Sequence, residues 1–278
     1  MKITRILTTL ILGLFLTPLL PAANPVTVPI GFSHSAWNQL VQKYVDEKGL
    51  VAYGKWQADS ADRQKLEDYL AQFAPAPAQP AQGNEAAASL INLYNALTVS
   101  VILENYPLDS IQTLSKPFAT KRLKVGGQMI SLNDIEHNTL RPQIGYRAHS
   151  VLVCAARSCP PLQREAYGAE NLDSRIADAY RTWLARPDLN EFLPAENAAK
   201  ISSIFSWFEE DFVQAGGVRK ILAEYGPADQ KEFLSGKGYE ISYLPYNWGL
   251  NDQGEEGRSY SRIRLLWDRI LNLITFWN

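Results

Sequence analysis

The sequence predicts an α+β fold, a helix-rich shell around a small mixed or antiparallel sheet. Three observations predict it. Segments with apolar residues at helical spacing outnumber segments that alternate. The alternating segments are scattered between the helical ones instead of gathered in one run. One helical segment, 84–104, is apolar on nearly all sides, which marks a central buried helix.

The elements follow in chain order. Residues 35–46 read as an amphipathic helix, with Trp37, Leu40, Val41 and Tyr44 on one face. Residues 48–53 follow as a turn and short strand. Residues 59–73 form a second helix, with Leu66, Tyr69, Leu70 and Phe73 apolar. The Pro/Ala-rich run 74–83 cannot be a helix interior, so an extended surface connector is expected. Asn84 is the expected cap of the long helix. Residues 123–130 form a hairpin, because Gly126 and Gly127 can take the positive φ angles of a two-residue turn. Ser131 with Asp134 has the capping-box pattern and starts a short helix that Pro142 is expected to stop. Residues 150–155 read as a buried strand, 172–184 and 203–213 as helices, and 239–243 as a strand.

Residues 1–23 have the form of an export signal. Lys2 and Arg5 precede an apolar run, 6–20, and small residues lead to cleavage after Ala23. The apolar run is shorter than the ~20 residues of a spanning helix. The expected address is periplasmic or extracellular. Residues 24–251 are expected to form a single globular domain. Without Lys2 and Arg5 the chain carries 25 basic and 29 acidic residues and no basic stripe, which excludes nucleic acid as a partner. Residues 252–278 read as a polar linker and an amphipathic helix, with Ile263, Leu266, Trp267, Ile270, Leu273, Ile274 and Trp277 at helical spacing. That helix docks on its own domain, or makes a peripheral membrane or partner contact through its aromatic and arginine residues.

The chemistry-bearing residues concentrate between 131 and 161. Asp134, His137, Asn138 and Arg141 fall at helical spacing on one face. Such a stripe is either a solvated face or a cluster of acid, imidazole and guanidinium suited to acid/base work. Both cysteines of the chain, Cys154 and Cys159, lie just downstream. Cys154 is read as a small core hydrophobe or as a nucleophile activated by a neighbouring cation or imidazole. Both a free thiol and a disulfide with Cys159 are open. Strand alternation turns His149 away from Cys154, which makes His137 its better partner. Asn92 and Asn95, buried on the long helix, tie down loops, or Asn95 orients His137. The ligand-type residues His137, His149, Cys154 and Cys159 match no zinc-knuckle spacing, so neither metal nor cofactor is expected.

These blocks together resemble the domain of unknown function 547 family. The stretch 91–98 looks like its asparagine-rich helix, 132–141 its acidic-His helix, and 149–161 its cysteine block. The stretches 204–212 and 246–251 look like its two C-terminal blocks. The resemblance implies His137, Arg141, His149, Cys154, Arg157 and Asn95 as site residues. Family members often have glycine where this chain has Ala155, and aspartate where it has Asn247. Some have serine at Cys159, which leaves Cys154 as the thiol to watch.

The leading functional reading is an exported cysteine-dependent hydrolase or acyltransferase. Cys154 is its nucleophile, His137 its base, and Asn95 or Glu136 the orienting group. Arg141, Arg157 and His149 hold a small anionic substrate. The second reading is a non-catalytic module that binds a ligand or a protein partner through the same polar network. A thiol-redox role is a third.

Overall fold

The structure, a computed structural model, describes residues 25–254. The expected export signal and C-terminal helix lie outside the described residues. Helix α1 (Ser35–Tyr44) buries the four residues expected on its apolar face. The segment expected as a strand at 48–53 forms only single bridges, from Val51 to Val45 and to Asp252. The chain then turns into α2 (Tyr53–Ala58), a helix too short to show a sequence period. Helix α3 (Ser60–Ala71) starts at Asp59, whose side chain accepts from the Asp62 amide.

Helix α4 (Gly83–Asn105) is the centre of the fold. Every residue from Ala86 to Leu103 is buried. It is long and apolar enough to cross a membrane, and here protein wraps it on all sides. Its N-cap is Gln82, and no side chain bonds there, so Asn84 is not the cap. The hairpin β1 (Leu123–Val125) and β2 (Gln128–Ile130) turns through Gly126 and Gly127, with φ of 57° and 84°.

The capping box at Ser131 forms, and opens α5 (Leu132–Ile135). The helix does not stop at Pro142. It widens into a π-helical turn over Glu136–Leu140 and resumes as α6 (Arg141–Ile144). Pro142 sits in the first turn of α6, where an absent N–H is tolerated. Helices α5 and α6 pack against α4.

The expected strand at 150–155 is absent. Gly145–Ser150 is a 3-10 helix, and the next residues are an irregular buried loop. The buried run lacks a neighbouring strand, so a side chain takes the strand's place. Asn95 Nδ2 donates to the Val151 carbonyl and Asn95 Oδ1 accepts from the Val153 amide, each at 2.9 Å.

Helix α7 (Leu172–Leu184) has its expected bounds. Beyond it come β3 (Glu191–Leu193), β4 (Ala198–Ser202), α8 (Ile204–Trp207), α9 (Glu209–Gln214), α10 (Val218–Tyr225), α11 (Lys231–Ser235) and β5 (Glu240–Leu244). The sheet is mixed: β4 is central, antiparallel to β3 and parallel to β5, with Ala199 opposite both Phe192 and Ile241. Helices α8 to α11 make the crossover to β5. The helix expected at 203–213 is broken, because Phe208, at φ −115° and ψ 32°, separates α8 from α9. The fold is α+β, with α4 and not the sheet as its buried axis. Strands β3 and β5 are half-buried or exposed along their length.

Candidate functional site

Two loops build one wall of the site. The loop after Val153 carries Cys154 to Cys159, and the loop after β5 carries Tyr246 to Asn251. They zip together through backbone bonds from Arg157 to Gly249 (2.8 Å), Ser158 to Asn247 (3.2 Å) and Asn251 to Ala155 (3.1 Å). The Ser158 hydroxyl accepts from the Asn247 amide at 2.8 Å. Ala155 takes a φ of 60° at the turn into this ladder, so the unusual angle is present although the side chain is not glycine. Asn247 accepts from the Gly249 amide at 2.9 Å and braces the loop. A carboxylate would serve that bond equally well.

These loops face the π-helical turn across a cavity of about 520 Å³. Phe118, Trp207, Phe208 and Trp248 supply its aromatic walls, and Tyr94, Glu136, His137, His149 and Tyr246 its polar groups. Lys116 and Gln112 also line it. Such a mixture of apolar walls and a few fixed polar groups is the usual character of a small-molecule site. The π-helical turn matters here because it carries both Glu136 and His137.

Cys154 and Cys159 are joined as a disulfide, with Cα atoms 6.4 Å apart. Cys154 is half-buried and Cys159 buried, and both line the cavity. The Tyr246 hydroxyl touches both sulfurs, at 3.2 Å from Cys154 Sγ and 3.1 Å from Cys159 Sγ. The Cys154 amide donates to Cys159 Sγ at 3.1 Å.

A charged chain lies behind the polar wall. Asp211 Oδ2 accepts from His149 Nε2 and from Arg141 Nε, both at 2.7 Å, and Oδ1 accepts from Arg141 at 3.2 Å. Arg141 also donates to His137 Nδ1 at 2.9 Å. A guanidinium can only donate, so Nδ1 is the acceptor, and the proton of a neutral His137 ring sits on Nε2. Phe208 is the plate beneath this chain: His149 stacks on it at 4.2 Å and the Arg141 guanidinium lies 4.7 Å from its centroid.

Burial pushes the His149 imidazole below its ordinary range, against the pull of the Asp211 carboxylate. Burial alone would raise the Asp211 carboxyl, but its bonds from His149 and Arg141 hold it well below the usual carboxylate range. Tyr94 donates to Glu136 Oε2 at 3.0 Å. Burial and the Glu136 charge push both the Tyr94 and Tyr246 hydroxyls up, so each stays a donor.

Of the residues singled out from sequence, Cys154, His137, Glu136 and His149 come together on the cavity. Without the expected strand, alternation does not separate His149 from Cys154. Asn95 stands behind the cysteine loop and binds backbone, not His137. Asn92 does the same for Tyr167, through its carbonyl and its amide at 2.9 Å each. The stripe at 134–141 splits into two pairs. Asn138 bonds Asp134 at 3.0 Å on the outside, while His137 and Arg141 pair on the inside. Neither arginine is among the residues that line this cavity. Arg141 is committed to Asp211 and His137. Arg157 donates to the Asp252 carbonyl at 3.1 Å and lines a separate cavity with Asp109 and Tyr106. Asp211 and Tyr246 are the functional groups that sequence reasoning did not single out. Asp211 is the last of three consecutive acids, and nothing local distinguishes it. The third histidine, His34, is structural: its ring nitrogens bond Tyr69 and Ser89 at 2.8 and 3.0 Å.

A family model described as protein of unknown function, DUF547, matches residues 79–184. That segment holds Tyr94, Glu136, His137, His149 and both cysteines, and ends before Trp207, Asp211, Tyr246 and Trp248. No curated protein and no solved structure matches the chain.

Proposed function

Starting from a chain whose residues 79–184 belong to the domain of unknown function 547 family, we propose that it is an exported protein that binds a small, mainly apolar, ring-bearing molecule in the aromatic cavity. The carrying observation is that the polar groups on the wall are fixed from behind. Arg141 and Asp211 hold His137 and His149, and Tyr94 holds Glu136. Groups locked before a ligand arrives lose little freedom when it binds. With Nδ1 engaged by Arg141, His137 has Nε2–H to offer an acceptor on the ligand. Glu136 has Oε1 to offer a donor. The export part of the reading is supported by the form of residues 1–23 and by the disulfide, which suits an oxidising compartment.

The test uses 1-anilinonaphthalene-8-sulfonate as the probe, on the native chain. One-to-one binding is expected by calorimetry. Ala119→Trp, at an exposed position on the cavity wall, is expected to weaken it at least tenfold with an unchanged melting temperature. An affinity indifferent to both Ala119→Trp and Trp207→Ala would overturn the reading.

A second reading is the cysteine-dependent hydrolase or acyltransferase. One observation favours it: Cys154, His137 and Glu136 line the same cavity. It applies to the reduced chain alone, since a disulfide sulfur has no thiolate to offer. Its test is alkylation of reduced Cys154 against pH. A depressed thiol pKa that returns to about 8.5 in His137→Ala supports it.

A further inference from the structure

We propose that Cys154–Cys159 is a redox-active pair that exchanges with a small thiol inside the cavity, with Cys154 the sulfur attacked and Cys159 the leaving group. This goes beyond ligand binding, because it assigns a group-transfer chemistry to the cavity wall.

Three observations carry it. First, the disulfide is not sealed in the core. It lines a cavity of about 520 Å³, large enough for a small organic thiol beside the sulfurs. Second, the two sulfurs differ in access: Cys154 is half-buried and Cys159 only 4% exposed, so an incoming thiolate meets Cys154. Third, the hydrogen bonds are unequal in the complementary sense. Cys159 Sγ takes the Cys154 amide at 3.1 Å and the Tyr246 hydroxyl at 3.1 Å, whereas Cys154 Sγ has Tyr246 alone at 3.2 Å. The buried sulfur is therefore the one whose thiolate has two donors waiting. Exchange is faster when the leaving thiolate is the better stabilised one.

The step balances as follows. A thiolate, its proton already left in solvent, attacks Cys154 Sγ. A new sulfur–sulfur bond forms to Cys154 as the Cys154–Cys159 bond breaks, and the electron pair goes to Cys159. The Tyr246 hydroxyl, which has one proton to give, turns it to the charged sulfur. A second thiolate attacks the outer sulfur of the mixed disulfide and releases Cys154. The two cysteine thiolates take up protons from water. Two small thiols are oxidised to their disulfide, and the protein pair is reduced by two electrons.

The full native chain is treated with 2-mercaptoethanol, quenched in acid and mapped by mass spectrometry. The expected result is a mixed disulfide on Cys154, formed at a rate proportional to thiol concentration while the circular dichroism stays native. Tyr246→Phe is expected to slow it about tenfold, the effect of one hydrogen bond to a charged group. Ala119→Trp, which narrows the cavity without touching either sulfur's bonds, is expected to slow it too. An adduct on Cys159 would overturn the proposal, as would a rate that plateaus with thiol at the rate of global unfolding. So would rates in both variants equal to wild type. Probe binding is read separately, so failure here leaves the ligand reading standing.

Discussion

His149 Nε2 lies 2.7 Å from Asp211 Oδ2, and the same oxygen accepts from Arg141. One carboxylate thus fixes an imidazole on the cavity wall and the guanidinium that fixes a second imidazole. Asp211→Ala strands a buried ring and a half-buried cation together. Removing one partner of a buried charged pair costs about 3 kcal/mol or more. Urea unfolding at pH 7 is expected to show a loss of that size, and Asp211→Asn a smaller one. Probe affinity is expected to fall in both variants, because His137 and His149 lose their fixed orientation.

Acid weakens the fold in two stages. Burial pushes the His34 imidazole down to about 4 and holds His149 below its usual range. In the unfolded chain both rings protonate near 6.5. Between those values the unfolded state binds more protons, so stability is full above about pH 6.5 and falls as the pH drops toward 4. Asp211 has its folded pKa depressed, so its contribution is present above about pH 4 and is lost below that. His34 alone accounts for up to about 3 kcal/mol between pH 7 and 4. Unfolding free energies measured across this range are expected to flatten in His34→Gln. A curve unchanged by that substitution would refute the assignment.

Ala155 holds a left-handed angle that costs an L-residue about 1–2 kcal/mol, partly offset in glycine by its freer unfolded chain. Ala155→Gly is expected to stabilise the protein by about 1 kcal/mol, read as a rise of a few degrees in melting temperature. Other substitutions in the same loop, at positions without a positive φ, give no such gain.

Asn95 replaces a missing strand, and its loss is expected to be expensive. Asn95→Ala leaves the Val151 carbonyl and the Val153 amide buried without partners, at about 1–3 kcal/mol each. Hydrogen exchange at the Val153 amide is expected to accelerate well beyond the global loss of stability, because that amide bonds the deleted side chain directly.

Much of the fold was legible where the period is long and strong. The burial of α4 and α7 follows from apolar residues repeated over several turns, and the β1–β2 hairpin from two adjacent glycines. Two of the misreadings, at 150–155 and at Pro142, come from how backbone groups are satisfied. The run 150–155 has the composition of a strand, yet its polar groups are met by Asn95 from a helix. Pro142 reads as a stop, yet a π-helical turn lets the helix continue past it. In the site, reactive residue types were legible and their connections were not. Arg141 looked like an anion clamp, and only its contact with Asp211, 70 positions away, shows it to be committed. Tyr246 reaches Cys159 across 87 positions, a contact that no local pattern encodes.

That long closure separates two properties of the cavity. The histidines, the cysteines and Glu136 come from the segment ending at Leu184, whereas Trp207, Tyr246 and Trp248 come from the chain beyond it. The histidine, carboxylate and sulfur groups of the wall and its two tryptophans are therefore written in different stretches of sequence. Substitutions in the later stretch can re-tailor which molecule fits while the earlier stretch keeps the same chemical groups. The same separation leaves the segment 79–184 with both cysteines, Glu136, His137 and His149, and without Trp207, Tyr246 and Trp248.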